Sequence, residues 1–309
     1  MIHLRTSILD VLGAKEAGRK LCMLTAYDST MAAIIDGVGI DIILVGDSAS
    51  NVMLGYHNTL PITMDLMVNF TAAVTRSTKN AFIIGDMPFM SYEVNVEEAV
   101  RNAGRFIKEG GAMAVKLEGG RGMVDKVKAI VNAGIPVCGH LGLTPQSIHK
   151  FGGHKVQGRT AAAARRLIDD AVILQDAGIF LLVLEGIPWQ VAKLATEHVS
   201  IPTIGIGAGP YCDGQVLVTQ DLLGMYEAFK PKFVKHFGKI RHHMTEALEK
   251  YKHEVLKGSF PDFEHSYEMP EDELQKLREE TSSYAFFYEA ESKTPHTAAK
   301  RTADAKNGK

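Results

Sequence analysis

AMAVKLEGG, residues 112–120, is the stretch from which the fold is read. It is apolar apart from Lys116 and Glu118, and it closes on two glycines. VEEAVRNAGRFIKEGG precedes it and MVDKVKAIVNAG follows it, both with helical spacing. Gly110 and Gly111 stand where the first of these helices is expected to end. A strand with a helix on either side is the centre of a parallel βαβ unit. The alternation continues outward. Toward the N-terminus lie AFIIGDMP (81–88), IDIILVG (40–46) and LCMLTAY (21–27), separated by MDLMVNFTAAVTRST and by DSTMAAIIDGVG, with Asp28 or Ser29 as its N-cap. Toward the C-terminus lie PVCGHLG (136–142), FLLVLEG (180–186) and PTIGIGAG (202–209), with AAAARRLIDDAVILQDAG and WQVAKLATEHV as helices between them. QVLVTQDLLG (215–224) is the weakest β-type run and the candidate eighth strand.

Continuously apolar runs are expected of strands buried on both faces, as in parallel sheets. Seven clear repeats and a doubtful eighth within 309 residues suit a closed (β/α)₈ barrel of about 250 residues plus extensions. An open, doubly wound sheet is the competing arrangement. The polar connection LTPQSIHKFGGHKVQGRT, after the fifth run, is long enough to be functional or mobile. Beyond residue 225 the pattern changes to charged, amphipathic helices, KPKFVKHFGKIRHHMTEALEKYKHEVLKG and EDELQKLREETSSYAFFYEAES. The expected division is a barrel with its terminal helix over 1–256, a helical extension over 257–290 and a disordered tail over 291–309.

Composition excludes several classes. The net charge is −2, and the first 225 residues contain no clustered basic face of the kind nucleic acid requires. No stretch is apolar over the ~20 residues needed to cross a bilayer, and the N-terminus lacks a signal-peptide core, so a soluble cytoplasmic protein is expected. Cys22, Cys138 and Cys212 are too few and too far apart for a disulfide framework or a zinc site, and are read as buried thiols. His236, His242 and His243 have no acidic or cysteine partner at ligand spacing and are read as solvated.

The acids carry the functional signal. Asp47 follows IILVG, Asp86 closes IIGD, Glu118 closes VKLE and Glu185 closes LLVLE. In a parallel barrel all strand ends face one rim, which bears the active site. A single strand-end Asp is ordinarily a helix cap or turn former. Four carboxylates on one rim repel unless protons or a cation compensate, and hard oxygen ligands suit Mg²⁺ or a similar ion. Lys116 and Glu118 are two apart and share a face. They form either a buried structural bridge or a cation-bearing site for a substrate carboxylate. His140, ending CGH, reaches the same rim. GIGAG (205–209) reads as close backbone approach in a crowded barrel mouth, with a phosphate cradle as the other reading.

LTAYDS, VGDS with LGY and TLPIT downstream, DMPFMSYE, VKLEGG, PVCGHLGLTPQSIHKFGGHKVQGR, LLVLEGIP, IPTIGIGAG and DGQVLVTQDLLG follow one another in order. Together they resemble the ketopantoate hydroxymethyltransferase (3-methyl-2-oxobutanoate hydroxymethyltransferase) family over roughly residues 3–240. GHLGLTPQS, KVQGR and GIGAG are its most specific segments. The resemblance implies a TIM barrel of the phosphoenolpyruvate/pyruvate type, assembled as a homodecamer. It implies one Mg²⁺ per subunit held by Asp47 and Asp86, with Glu118 as a ligand or a supporting partner. It also implies an oxo acid in contact with Asp47, Ser48, Asp86, Lys116 and His140, and Glu185 as the catalytic base. The implied reaction moves a one-carbon unit from 5,10-methylenetetrahydrofolate to the enolate of 3-methyl-2-oxobutanoate, forming 2-dehydropantoate for pantothenate and coenzyme A synthesis. DSASN (47–51) departs from the DSLGM common in the family, which puts the backbone of that loop in question. His57 and Asn58 replace a common Asp and Ser. A Mg²⁺-dependent carbon–carbon lyase or mutase on the same barrel is the alternative enzyme reading, and a non-catalytic assembly protein is the remote one.

Overall fold

Alternate residues of eight short strands point into a closed ring. β1 (Leu21–Thr25), β2 (Ile42–Val45), β3 (Phe82–Asp86), β4 (Ala114–Glu118), β5 (Val137–Gly142), β6 (Leu181–Glu185), β7 (Thr203–Ile206) and β8 (Gly214–Leu217) pair in sequence order, all parallel, and β8 closes on β1. This computed structural model describes residues 5–226 and 231–282. The barrel arrangement therefore holds and the open sheet does not. β8 is only four residues long, because the chain turns at Val218 into the helix Thr219–Leu222. That turn is fastened by the Thr219 hydroxyl, which donates to Thr25 O at 2.6 Å, and by the Thr219 amide, which donates to Thr25 Oγ1 at 3.1 Å.

Two apolar regions divide the work. Leu21, Met23, Ile42, Leu44, Phe82, Ile84, Ala114, Cys138, Val183, Ile204 and Val216 fill the barrel interior as one cluster. The residues between them, such as Ile43, Ile83, Val115, Leu117, Leu182 and Leu184, pack outward against the surrounding helices. The period of two thus assigns each strand residue to a layer. The helices start on ordinary caps: Asp28 accepts from Met31 N, Thr63 from Leu66 N, Asn95 from Glu98 N and Thr160 from Ala163 N. The helix ahead of β4 ends at Lys108, and Gly111 follows at φ +70°.

An additional helix, Ile8–Glu16, opens the chain on a Ser7–Asp10 capping box and adds Val11 and Ala14 to the interior cluster. Its segment is tied to backbone just ahead of the strands: Arg5 to Ala81 O, and Lys15 to Ile201 O. It therefore covers the barrel end opposite the catalytic rim.

The connection after β5 contains local structure, with helical turns at Pro145–Ser147 and Ile148–Phe151 that stop at Gly152, φ +64°. Cys22 is exposed, unlike Cys138 and Cys212, because its position in β1 faces away from the interior layer at a sparsely covered strand. The chain divides into two compact units, Met1–His243 and Met244–Lys309. The first charged helix is shorter than its pattern, Ile240–Lys257, since Pro231 and Gly238 interrupt the preceding stretch and Phe237 N donates to Leu222 O instead. His242 and His243 lie on that helix and are exposed; His236 precedes it and is exposed too. A second helix spans Glu271–Thr281. The expected tail at 291–309 and the end of the extension lie outside the described residues.

Candidate active site

The parity that fills the barrel interior also loads its rim. Asp86 continues the inward row Phe82, Ile84; Lys116 and Glu118 continue Ala114; His140 continues Cys138; and Glu185 continues Val183. Asp47 and Ser48 leave the end of β2 one residue beyond Gly46. All seven predicted side chains line one cavity of about 680 Å³.

Their contacts form a continuous chain. Lys116 Nζ lies 2.8 Å from Asp86 Oδ1, and Asp86 Oδ2 accepts from Asp47 N at 3.0 Å. Lys116 Nζ is also 3.4 Å from His140 Nδ1. The same ring nitrogen stands 3.3 Å from Glu118 Oε1, and His140 Nε2 stands 3.3 Å from Glu185 Oε2. The register of β5 on β6, which pairs Gly142 with Glu185, sets that last contact. Side-chain exposure separates the acids: Glu185 is 15% exposed, whereas Asp86 is 2% and Glu118 3%. Glu185 is thus the most open acid of the charged cluster.

Burial and charge set the protonation of the cluster. Burial alone would lower the Lys116 ammonium, but Asp86, Glu118 and Asp47 reverse that and hold it charged, above its ordinary range. Burial pushes the Asp47 carboxyl well up, and repulsion from Asp86 and Glu118 adds to it. For His140, burial and Lys116 act downward. The hydrogen bonds to Glu118 and Glu185 outweigh them and raise it to about 9, so the ring is an imidazolium at neutral pH.

Whether these residues fit a divalent cation is tested by their oxygens. Asp86 Oδ1 and Glu118 Oε1 are buried, and among the described residues they have no polar partner beyond the ion-pair contacts with Lys116 and His140. Asp47 and Asp86 offer hard oxygens side by side on neighbouring strand ends. Among the described residues no three His, Cys, Asp or Glu side chains gather as a complete ligand set. Mg²⁺ commonly takes one or two carboxylates and completes its shell with water and substrate, so the Asp47–Asp86 pair fits it.

Sequence reading missed Gln146, the hub beneath the site. Its amide N–H donates to Glu118 Oε2 at 3.0 Å, and its Nε2 donates to Asp47 Oδ2 and to Met87 O, each at 3.0 Å. Its Oε1 accepts from Tyr92 OH at 2.6 Å, and Tyr92 OH in turn accepts from Glu118 N at 3.1 Å. Tyr27, fully buried, holds Ser48 through a 2.7 Å hydroxyl contact. The altered DSASN loop is ordinary right-handed backbone: Ala49–Val52 forms a helical turn and the Ser50 hydroxyl donates to Asn58 O. Ser50, where the family has glycine, needs no left-handed conformation. GIGAG shows close backbone approach, since a Cβ on Gly207 would come within 2.6 Å of the Phe233 ring.

Comparison with known proteins now bears on this geometry. A family model described as ketopantoate hydroxymethyltransferase matches residues 5–263. The chain belongs to the ketopantoate hydroxymethyltransferase family. The match runs past residue 240, to which the motifs reach. A 3-methyl-2-oxobutanoate hydroxymethyltransferase of Clostridium beijerinckii is 56% identical over 274 residues, covering 89% of this chain and all of the relative. One of Syntrophomonas wolfei is 54% identical over 273 residues, covering 88% and 99%. Among solved structures, phosphonopyruvate hydrolase in complex with oxalate and Mg²⁺ superposes with a TM-score of 0.56 at 10% identity, covering 88% of this chain and 97% of that one. A 2,3-dimethylmalate lyase of the PEP mutase/isocitrate lyase superfamily gives 0.54 at 14%, covering 93% and 99%. At such identities these structures speak for the fold alone. The lyase reading has no closer support, whereas the hydroxymethyltransferase family is matched along the whole barrel. Among the described residues no helix is long and apolar enough to cross a membrane.

Proposed function

We propose that the chain transfers the one-carbon unit of 5,10-methylenetetrahydrofolate to 3-methyl-2-oxobutanoate as a hydroxymethyl group whose oxygen comes from water, forming 2-dehydropantoate and releasing tetrahydrofolate. The observation that carries the chemistry is the gradient across the cluster. A buried Asp47–Asp86–Lys116 corner lies on one side, and the more open Glu185 lies on the other, joined by His140. Asp47 and Asp86 would hold a Mg²⁺, with Glu118 as a further ligand through Oε1 or as a supporting partner whose Oε2 is tied to the Gln146 that holds Asp47. When bound there, such an ion polarises the keto oxygen and offsets the charge that develops on it.

The chain's own residues supply the rest. Ser48, fixed by Tyr27, and the Lys116 ammonium bind the substrate carboxylate. Glu185 removes the proton from the carbon beside the carbonyl. His140, bonded to Glu185 and Glu118, fixes the direction of the base. Lys116 also offsets the negative charge passed to the oxo acid. The subunit is read as one of a homodecamer in the cytoplasm. The exposed apolar Leu9, Ile34 and Val38 on the first two helices support self-association.

The test is formation of 2-dehydropantoate from 3-methyl-2-oxobutanoate and 5,10-methylenetetrahydrofolate, with and without Mg²⁺. Product that depends on all three is the expected result. Absence of product with all three present refutes the assignment.

A further inference from the structure

The cavity is much larger than a five-carbon oxo acid needs. Away from the charged cluster its wall is largely apolar, with Leu143, Ile148, Val156 and Phe233. One carboxylate stands in that wall: Asp221, on the helical turn Thr219–Leu222 after β8. Burial raises it to about 6, and among the described residues no side chain donates to it. A half-desolvated carboxylate without a donor is costly unless a ligand brings one. An anionic oxo acid cannot, since it would be repelled. Thr59 Oγ1 lines the same cavity, buried and without a hydrogen-bond partner. Phe233 rests one edge of its ring on Gly207 and is 36% exposed, so an aromatic surface remains open.

We propose that Asp221 is a specificity-determining residue that binds the amino-pyrimidinone edge of the tetrahydrofolate donor. This rests on the hydroxymethyl-transfer reading above and names the residue that recognises its second substrate. The pterin presents N3–H and a 2-amino N–H side by side, a spacing that suits the two oxygens of a carboxylate. The ring itself is flat and uncharged, which suits the apolar wall and the open face of Phe233. Thr59 supplies a further hydroxyl to the polar rim of the same ring.

Three readouts on Asp221→Asn test this: tetrahydrofolate binding alone by calorimetry, KM for 5,10-methylenetetrahydrofolate, and folate-independent exchange of the substrate C3 proton with D₂O. Binding weakens by roughly 10–100-fold, as expected for loss of one or two bonds to a charged group, and KM rises in parallel. Exchange persists, which shows the variant folded with its oxo-acid site intact. Asp221→Glu, which keeps the carboxylate, recovers part of the affinity. Tetrahydrofolate binding to Asp221→Asn as tight as to the unchanged protein overturns the proposal. So does equal weakness of the Glu and Asn variants while exchange persists, since the loss would then be steric. If the unchanged protein itself neither binds tetrahydrofolate nor forms 2-dehydropantoate, the transfer reading falls and this proposal with it.

Discussion

Replacing Gln146 with leucine should weaken both the fold and the metal corner, although Gln146 is not itself proposed to touch substrate. The change is close in volume, so packing costs are small. The losses are polar. Asp47 Oδ2 and Met87 O each lose a 3.0 Å donor, in surroundings where Gln146 and Asp47 are both 5% exposed. Tyr92 OH loses its acceptor but can turn to Glu118 O at 3.4 Å, and it still accepts from Glu118 N. The backbone bond from residue 146 to Glu118 Oε2 survives because it uses the main chain. Two buried acceptors left unpaired, at about 1–3 kcal/mol each, give a destabilisation of about 3 kcal/mol. For a domain of this size that corresponds to a fall in melting temperature of about 6–12 °C. If Asp47 ligates Mg²⁺ as proposed, removing the group that orients its carboxylate lowers metal affinity by roughly 10–100-fold.

Thermal unfolding of the metal-free protein reads the first effect, and calorimetric titration with Mg²⁺ reads the second. Gln146→Glu separates them, because it keeps the acceptor for Tyr92 but sets a carboxyl against Asp47, so it should harm Mg²⁺ affinity more than stability. If Gln146→Leu melts within 2 °C of the unchanged protein, the assigned hydrogen bonds contribute little (on the scale of about 2–4 °C per kcal/mol). If it binds Mg²⁺ with unchanged affinity, Asp47 does not depend on Gln146 or is not a ligand.

The other expectations are more direct. Glu185→Gln should retain oxo-acid binding but slow C3 proton exchange by about 10²–10⁴-fold; undiminished exchange removes Glu185 as the base. Without a divalent cation, 3-methyl-2-oxobutanoate should bind at least about tenfold more weakly by calorimetry, and equal binding would contradict the charge balance of the site. Asp36 accepts from Lys79 N, Asn80 N, Ala81 N and Asn80 Nδ2, clamping the entry to β3. Burial pushes its carboxyl up, but the bonds from Lys79, Ala81 and Asn80 reverse this and hold it below the ordinary range. A depressed carboxyl contributes stability above its unfolded value, about 3.9, that is lost as pH falls through the folded one. Asp36→Ala should therefore be less stable at neutral pH and lose less on acidification than the unchanged protein; parallel acid profiles would refute the assignment.

The barrel and most of its rim were legible because both follow from a period of two. Once AVKLE is a strand with Ala114 inside, Lys116 and Glu118 must be inside, and the same counting delivers Asp86 and Glu185. What parity cannot give is contact between strands. The His140–Glu185 link depends on the stagger of β5 against β6, which pairing and not sequence fixes. Gln146 was hidden because it lies in an aperiodic polar connection, where no spacing rule marks one residue over its neighbours. The opening helix was legible in principle from Ser7 and Asp10 at capping spacing. Asp221 looks like any polar residue of a terminal turn; only the cavity wall around it shows a carboxylate without a donor among the described residues.

The layering of the barrel explains why a lysine belongs so deep in it. Below Lys116 the interior is apolar, with Ala114, Phe82 and Cys138; above it come Asp86, Glu118, Glu185 and Asp47. His140 and Lys116 set two cations against four carboxyl groups, and the excess of acid shows at Asp47, whose carboxyl burial and its acidic neighbours push well up. A divalent cation held by Asp47 and Asp86, as proposed, would offset that excess, and a substrate carboxylate would then enter a field that repels it less. Removing Lys116 would leave Asp86 without its 2.8 Å partner in a low-dielectric setting, where an unpaired buried charge costs about 3–5 kcal/mol. Lys116 cannot easily leave or lose its proton, because the acids around it hold it charged. It is the permanent counterion of the site, and the proposed metal would be the exchangeable one. The fold places the permanent charge one layer down from Glu118, where it faces Asp86 and the cavity.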